Sequence, residues 1–246
     1  MSKLVWDQTG EKTYETGVRM GVLYPQASDG TYPIGYAWNG LTSVKENASG
    51  GEATPLWADD QKYLDLMSTE EFSATIEAYA SPKAFDECDG SKEIMPGVYA
   101  GQQNRKSFGF SYRTTLGNDV EGNDYAYQLH LVYGLKAQPS EKSYSSINDS
   151  PEANTLSWES KATPVPTGED GFKSTATLTI DSRYFTDPKF IAGALEDNGD
   201  VKEEVVTAAK AKLAALEKVL YGSTEANARL PFPDEVKKIL NGEISG

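Results

Sequence analysis

Residues 107–134 read SFGFSYRTTLGNDVEGNDYAYQLHLVYG, and this stretch decides the fold class. Phe108, Phe110 and Tyr112 alternate with Ser107, Gly109, Ser111 and Arg113. Successive strand side chains point to opposite faces, so the spacing predicts a strand with one side in a core and the other wet. Tyr125, Tyr127, Leu129, Leu131 and Tyr133 repeat the pattern over 125–134. Between the two runs, GNDVEGND (117–124) is dense in Gly, Asn and Asp, the residues that make turns. The unit reads as an antiparallel hairpin.

Working outward, Phe72, Ala74, Ile76 and Ala78 stand opposite Ser73, Thr75, Glu77 and Tyr79 over 72–80. TATLTID (175–181) sets Ala176, Leu178 and Ile180 against three threonines. Shorter strand candidates lie at 18–24, around 38–44, and at 156–161 with Trp158. Six to eight strands separated by turn signals predict an antiparallel β-sandwich or partly closed barrel. After residue 200 the period changes. Val205, Ala208, Ala209, Leu213, Leu216 and Leu220 recur at helical spacing, Lys and Glu fill the opposite side, and Gly222 follows as a cap. LPFPDEVKKIL (230–240) opens a last short helix, with Pro233 near its start and acids in its first turn.

The expected organisation is one α+β, mainly β domain over 1–246, with a flanking C-terminal amphipathic helix. It has an N-terminal arm at 1–17, a long loop at 47–65 and a helical C-terminal region at 182–246. No internal repeat is visible, and the breaks at 163–171 and 182–199 are too short for a clear linker. The loop carries Pro55, Leu56 and Trp57 on an otherwise polar stretch, followed by Asp59 and Asp60. Loops of this length in compact domains tend to be functional. An exposed Trp there would be an interface anchor; the alternative is that Trp57 folds back on its own core.

Composition prunes the function classes. The chain has 246 residues, with 23 Lys and Arg against 37 Asp and Glu, for a formal net charge of −14. Gripping nucleic acid by its phosphates needs a basic footprint, and anionic membrane docking needs the same. Hydrophobic residues at 38% and aromatics at 11% are too many for a disordered chain. No apolar run approaches the ~18 residues that span a bilayer. The opening stretch, MSKLVWDQTGEKTYE, does not read as a signal peptide, so the sequons at Asn47 and Asn148 read as chance matches. One Cys (Cys88) and one His (His130) leave no intrachain disulfide, zinc cluster or Cys-x-x-Cys pair.

Acidic clusters are the remaining catalytic material: Asp59 with Asp60, Asp86 with Glu87 and Asp89, and Asp119 with Glu121 and Asp124. Two carboxylates in a sugar groove would suit a glycosidase, but 37 acids generate such clusters by composition alone. The 119–124 run fails the calcium-loop pattern because Asp124 stands where the invariant Gly belongs. His130 reads as a strand histidine, exposed or hydrogen-bonded. Acidic neighbours would raise the Cys88 pKa. No catalytic, cofactor-binding or metal residues are assigned.

The order of motifs resembles the major tail tube proteins of long-tailed, non-contractile bacteriophages. The matching runs are GVLYP (21–25), AWNGLTSV (37–44), ATPLWADDQKYLDLMSTEEFSATIEAYASP (53–82), AFDECDG (84–90) and PGVYAGQQNRKSFGFSYRTTLGNDVEGNDYAYQLHLVYG (96–134). SYSSINDSPEA (143–153), SWE (157–159), KLAALEKVLYG (212–222) and RLPFPDEV (229–236) follow. The resemblance rests on their order over most of the chain. Residues 182–209 depart from the pattern by being longer and more charged.

The resemblance implies a non-enzymatic virion protein assembled in the bacterial cytoplasm, six copies closing a ring and rings stacking into a hollow tail tube. Its implied partners are other copies of itself, the tape-measure protein, and the tail terminator and distal tail proteins. DNA passes through the lumen without specific binding, and no membrane or cofactor is involved. Long loops bridge rings in this family, so the expected contact residues are Pro55, Leu56, Trp57, Asp59 and Asp60. Acids on polar strand faces, Glu77 and Glu159, are the expected lumen lining, where negative charge would repel DNA and let it slide. Two rival readings are a carbohydrate-binding or adhesin-like β domain, and a β-fold glycosidase.

Overall fold

The computed structural model describes residues 4–144, 146, 153–196 and 198–244. Twelve strands come in the order β1 (Thr13–Pro25), β2 (Tyr36–Trp38), β3 (Leu41–Ser49), β4 (Ala53–Ala58), β5 (Gln61–Met67) and β6 (Glu71–Ala78), then β7 (Lys92–Met95), β8 (Val98–Ala100), β9 (Phe108–Asn118), β10 (Gly122–Ala137), β11 (Leu156–Ala162) and β12 (Thr177–Asp181). A helical turn, α1 (Asp86–Asp89), precedes β7, and α2 (Arg183–Thr186), α3 (Glu203–Tyr221) and α4 (Pro233–Asn241) follow β12. The protein is mainly β, every strand pair is antiparallel, and a long helix lies near the C-terminus.

The 107–134 hairpin is present as β9 and β10, closed by a turn between Asn118 and Gly122. Asn118 stabilises that turn by accepting the Val120 and Glu121 amides on its side-chain oxygen, at 3.1 and 2.6 Å. This pair is the centre of the sheet β2-β1-β9-β10-β11-β6-β3, with β12 also on β10. The ladder forks at β10: residues 128–132 pair with β12, whereas 135–137 pair with β11. At the fork sits Gly134, in the left-handed region at φ 63°, beside a register shift. A Cβ there would lie 2.1 Å from the Thr163 carbonyl oxygen, so only glycine fits. The fork carries the chain from one layer to the other.

Two buried clusters show the layers. Trp38, Ile76, Phe85, Phe108, Phe110, Val132, Leu135 and Trp158 fill one side of the central strands, between them and β6–β11. Tyr24, Leu129, Leu131, Tyr133, Leu213, Leu216, Leu220 and Ile239 fill the other side, beneath α3 and α4. The arrangement fits a sandwich. The ends of the strand run, β2 and β3, are not hydrogen-bonded to each other, so no closed barrel forms.

The central strands are therefore buried on both faces, which corrects the expectation of one wet side. Gly109 and Ser111 are small to admit the helical layer, not polar to meet water. A Cβ on Gly109 would sit 2.3 Å from Leu230, and Ser111 is buried beside the Tyr24 hydroxyl at 3.1 Å. Arg113 lies over the Tyr127 ring at 3.2 Å and reaches Glu217 at 3.4 Å. Its charge is offset in place.

Other boundaries also differ. The expected arm at 1–17 is shorter, because from Thr13 the chain pairs with β9. α3 starts at Glu203 and buries Val206 and Val219 together with Leu213, Leu216 and Leu220, while Ala208 is exposed. Residues 182–199 hold α2 and a small separate cluster of Ile191 and Ala194 with Val206. The 143–153 motif and Asn148 fall largely or wholly outside the described residues.

Candidate functional site

The expected loop at 47–65 is not a loop. β3 runs to Ser49, and after Gly50 and Gly51 the chain forms the two-stranded hairpin β4–β5, which returns directly into β6. β3 and β6 pair as far as Ser49 and Glu71, so the hairpin projects from the end of that ladder. The joint is glycine-specific. Gly50 and Gly51 have φ of 87° and 68°, and a Cβ on Gly50 would meet the Thr69 carbonyl oxygen at 2.3 Å. Glu52 and Ser68 clamp the base with two hydrogen bonds of 3.0 Å, Ser68 N–H to the Glu52 carbonyl and Glu52 N–H to the Ser68 hydroxyl.

The tip explains why the sequence looked like a loop. Ala58 pairs with Gln61 across Asp59 and Asp60, whose φ values are 48° and 58°. Two consecutive left-handed residues make the tight hairpin turn that Asn-Gly usually signals. Asp-Asp is a weaker signal for the same geometry. A register shift between Leu56 and Trp57 also breaks the alternation.

Every residue of β4 and β5 is exposed. Leu56 stands opposite Leu64 and Thr54 opposite Leu66, giving one face a leucine surface. Trp57 is 68% and Tyr63 72% exposed, so Trp57 does not fold back on the core. Of the expected contact residues, Pro55, Leu56 and Trp57 lie on β4, and Asp59 and Asp60 form the tip. A single ion pair, Lys62 to Asp65 at 2.7 Å, lies along β5. A second small hairpin, β7–β8, escaped the sequence reading because its strands have only three and four residues; it exposes Ile94, Met95, Val98 and Tyr99.

Glu77 and Glu159 do share a face. On the outer side of the β3–β6–β11 layer, Ser43, Glu77 and Ser157 form one row and Lys45, Thr75 and Glu159 the next. That face is mixed in charge. Lys45 pairs with Glu77 at 2.8 Å and Lys161 with Glu71 at 3.4 Å, whereas exposed Glu159 has no ion pair among the described residues.

The three acidic clusters stand in different elements: the β4–β5 tip, α1 and the β9–β10 turn. Asp119 accepts the Gly10 amide at 2.9 Å, and burial raises the Asp86 pKa. Cys88 is the buried residue of α1. Desolvation pushes its thiol up to about 12, with Glu87 and Asp89 adding and Lys106 opposing. His130 is half-buried, between the layers rather than on a wet face. Among the described residues, no group of three or more His, Cys, Asp and Glu is placed to hold a metal ion. No helix among them is long and apolar enough to cross a membrane.

No protein-family model matches this chain, and no curated protein matches it significantly.

Proposed function

We propose that the chain is a structural, self-assembling subunit of a tail-tube-like assembly, in which copies close into six-membered rings and rings stack into a hollow conduit. One observation carries this reading: an exposed, leucine-faced hairpin projecting from the sandwich on a two-glycine joint. A two-stranded hairpin is marginally stable in water by itself, and an exposed apolar face of this kind marks an interaction surface. A second copy covering Leu56, Leu64 and Leu66 supplies what the hairpin lacks. A hairpin that contacts a different surface on the next copy generates rings or stacks rather than isolated dimers.

Under this reading Pro55, Leu56, Trp57, Asp59 and Asp60 form the contact between rings. The outer face of β3–β6–β11 carries Glu77 and Glu159 toward the bore. Tape-measure, terminator and distal tail proteins are the further partners, DNA passes without specific binding, and the chain works in a virion built in the bacterial cytoplasm without enzymatic chemistry. Sedimentation velocity of the wild type against Leu56→Ser/Leu64→Ser/Leu66→Ser tests it. Concentration-dependent association that the triple variant loses, while its circular dichroism stays native, is the expected result. Equal association by both proteins would remove the hairpin from the contact.

A second reading draws on the same hairpin: exposed Trp57 and Tyr63 could form a sugar platform. Saturable glycan binding by a persistent monomer would favour a carbohydrate-binding domain.

A further inference from the structure

β12 has one free edge. It pairs with β10 through residues 177–181 and with no other strand. The bonds at its two ends show which backbone groups face outward. Tyr133 N–H donates to the Ala176 carbonyl at 2.8 Å and Ser182 N–H to the Tyr127 carbonyl at 3.0 Å. Residues 176, 178, 180 and 182 therefore turn their amides and carbonyls toward β10, and the alternate residues turn theirs away. Val165 bonds both groups of Thr175 at 2.8 Å, and the Thr175 hydroxyl bonds both groups of Thr177. Thr179 and Asp181 are left. Among the described residues their outward amides and carbonyls have no hydrogen-bond partner.

The surface beside this edge is apolar. A groove of about 480 Å³ is lined by Leu178 and Ile180 of β12, Phe185 of α2, and Val236 and Leu240 of α4. Leu178 and Ile180 lie on the face of β12 that packs toward the helices. A strand added at the edge would therefore lay every second side chain into the groove. An unpaired edge next to an apolar groove is the arrangement that takes up an extended segment as a further strand.

The chain itself carries a strand of matching character. β5 pairs only with β4, contains no proline, and sets Leu64 and Leu66 on one face and Tyr63 on the other. β4 offers the poorer edge, because Pro55 has no amide hydrogen and its nitrogen in a paired strand faces away from the partner. Charge agrees with the match. Glu52, Asp59 and Asp60 of the hairpin have no ion pair among the described residues, and Asp65 has only Lys62. Lys173, just before β12, is exposed and likewise has no ion pair among them. Lys237 also lines the groove, where it bonds Glu169. The carboxylate at the edge, Asp181, is already held by Arg183 at 2.6 Å. We infer that the free edge of β12 receives β5 of a second copy as an added strand. Leu64 and Leu66 then fill the groove beside α4, and Tyr63 lies on the same side of the sheet as Thr179. The inference rests on the assembly reading and names the surface that receives the hairpin. Two different surfaces meet, so the contact propagates from copy to copy.

Tyr63 and Thr179 are both exposed, so cysteines there leave the core and the leucines intact, and buried Cys88 does not compete for reagent. Tyr63→Cys and Thr179→Cys, mixed in equal amounts and treated with a short bis-maleimide, should give more cross-linked dimer than either variant alone. Thr179→Pro removes an outward amide at an edge position that tolerates proline. It should weaken self-association in sedimentation velocity about tenfold while circular dichroism stays native. A mixture that cross-links no better than the separate variants overturns the docking, as does unchanged association of Thr179→Pro. If Thr179→Pro does not fold, the cross-link decides. Either failure, in a wild type whose association still needs Leu56, Leu64 and Leu66, removes β12 as the receiving surface and leaves the assembly reading standing. A wild type that stays monomeric at every concentration overturns both.

Discussion

Replacing Gly134 by alanine tests whether the fork in β10 builds the two layers. The residue is at φ 63°, and left-handed backbone costs an L-residue about 1–2 kcal/mol. The new Cβ would also lie 2.1 Å from the Thr163 carbonyl oxygen, far inside van der Waals contact. Neither side yields easily: Thr163 N–H donates to the Gly134 carbonyl at 2.9 Å, and Gly134 N–H donates to the buried Tyr32 hydroxyl at 3.0 Å. Overpacking of this kind adds about 1–3 kcal/mol, so Gly134→Ala should lose about 2–5 kcal/mol, a large share of a typical ~5–15 kcal/mol stability. Gly171 is the matched control. Its φ is 83° and nothing lies within 4 Å of an added Cβ, so Gly171→Ala should show only the backbone cost. Urea unfolding followed by fluorescence of the buried Trp38 and Trp158 reads both variants. Midpoints separated by about 0.5 M or more, at a slope of about 2–3 kcal/mol/M, are expected. Equal midpoints would refute the claim that β10 must bend closely past Thr163.

Three further outcomes follow from the same coordinates. Trp38 donates its indole N–H to the Ala80 carbonyl at 2.8 Å, whereas the Trp158 indole N–H is buried without a partner among the described residues. Trp38→Phe should therefore destabilise more than Trp158→Phe, by about 1 kcal/mol in urea titrations; the reverse order would contradict the packing. Cys88 should resist a thiol reagent in the native protein at pH 8 and react fully in denaturant, since burial and its thiol pKa near 12 leave almost no thiolate; rapid native labelling would count against it. Glu159→Lys should leave unfolding within about 0.5 kcal/mol of wild type, because the side chain is exposed and has no ion pair among the described residues. Glu77→Lys, which replaces the partner of Lys45 with a like charge, should cost more; in the proposed tube, either change should slow DNA passage without breaking the tube.

The alternating runs at 72–80, 107–115, 125–134 and 175–181 and the shorter candidate at 156–161 each overlap an observed strand, with β6 ending at Ala78, β9 starting at Phe108 and β12 starting at Thr177. Burial was harder to read. Gly109, Ser111 and Arg113 look like a wet face until α3 and α4 cover them, and only the three-dimensional pairing of Arg113 with Tyr127 and Glu217 makes that burial tolerable. The fork in β10 depends on Thr163, nearly thirty residues downstream, which no local pattern encodes. In the candidate site, Pro55, Leu56 and Trp57 stood out as apolar residues on a polar stretch, which left open whether Trp57 is an exposed anchor or folds back on the core; the structure exposes all three. Their secondary structure was missed because Gly50, Gly51 and Pro55 read as breakers and the Asp59–Asp60 turn lacks the usual Asn-Gly. The surroundings of His130 could not be anticipated, since Thr114, the Tyr112 ring and Glu15 meet it only once β1, β9 and β10 pair.

Negative-stain electron microscopy of the concentrated, purified protein after prolonged incubation tests the self-assembly proposal most directly. Hollow rings or tubes of uniform width are predicted for the wild type and should be absent from Leu56→Ser/Leu64→Ser/Leu66→Ser. Small monodisperse particles from the wild type, with no larger species at any concentration, would contradict it.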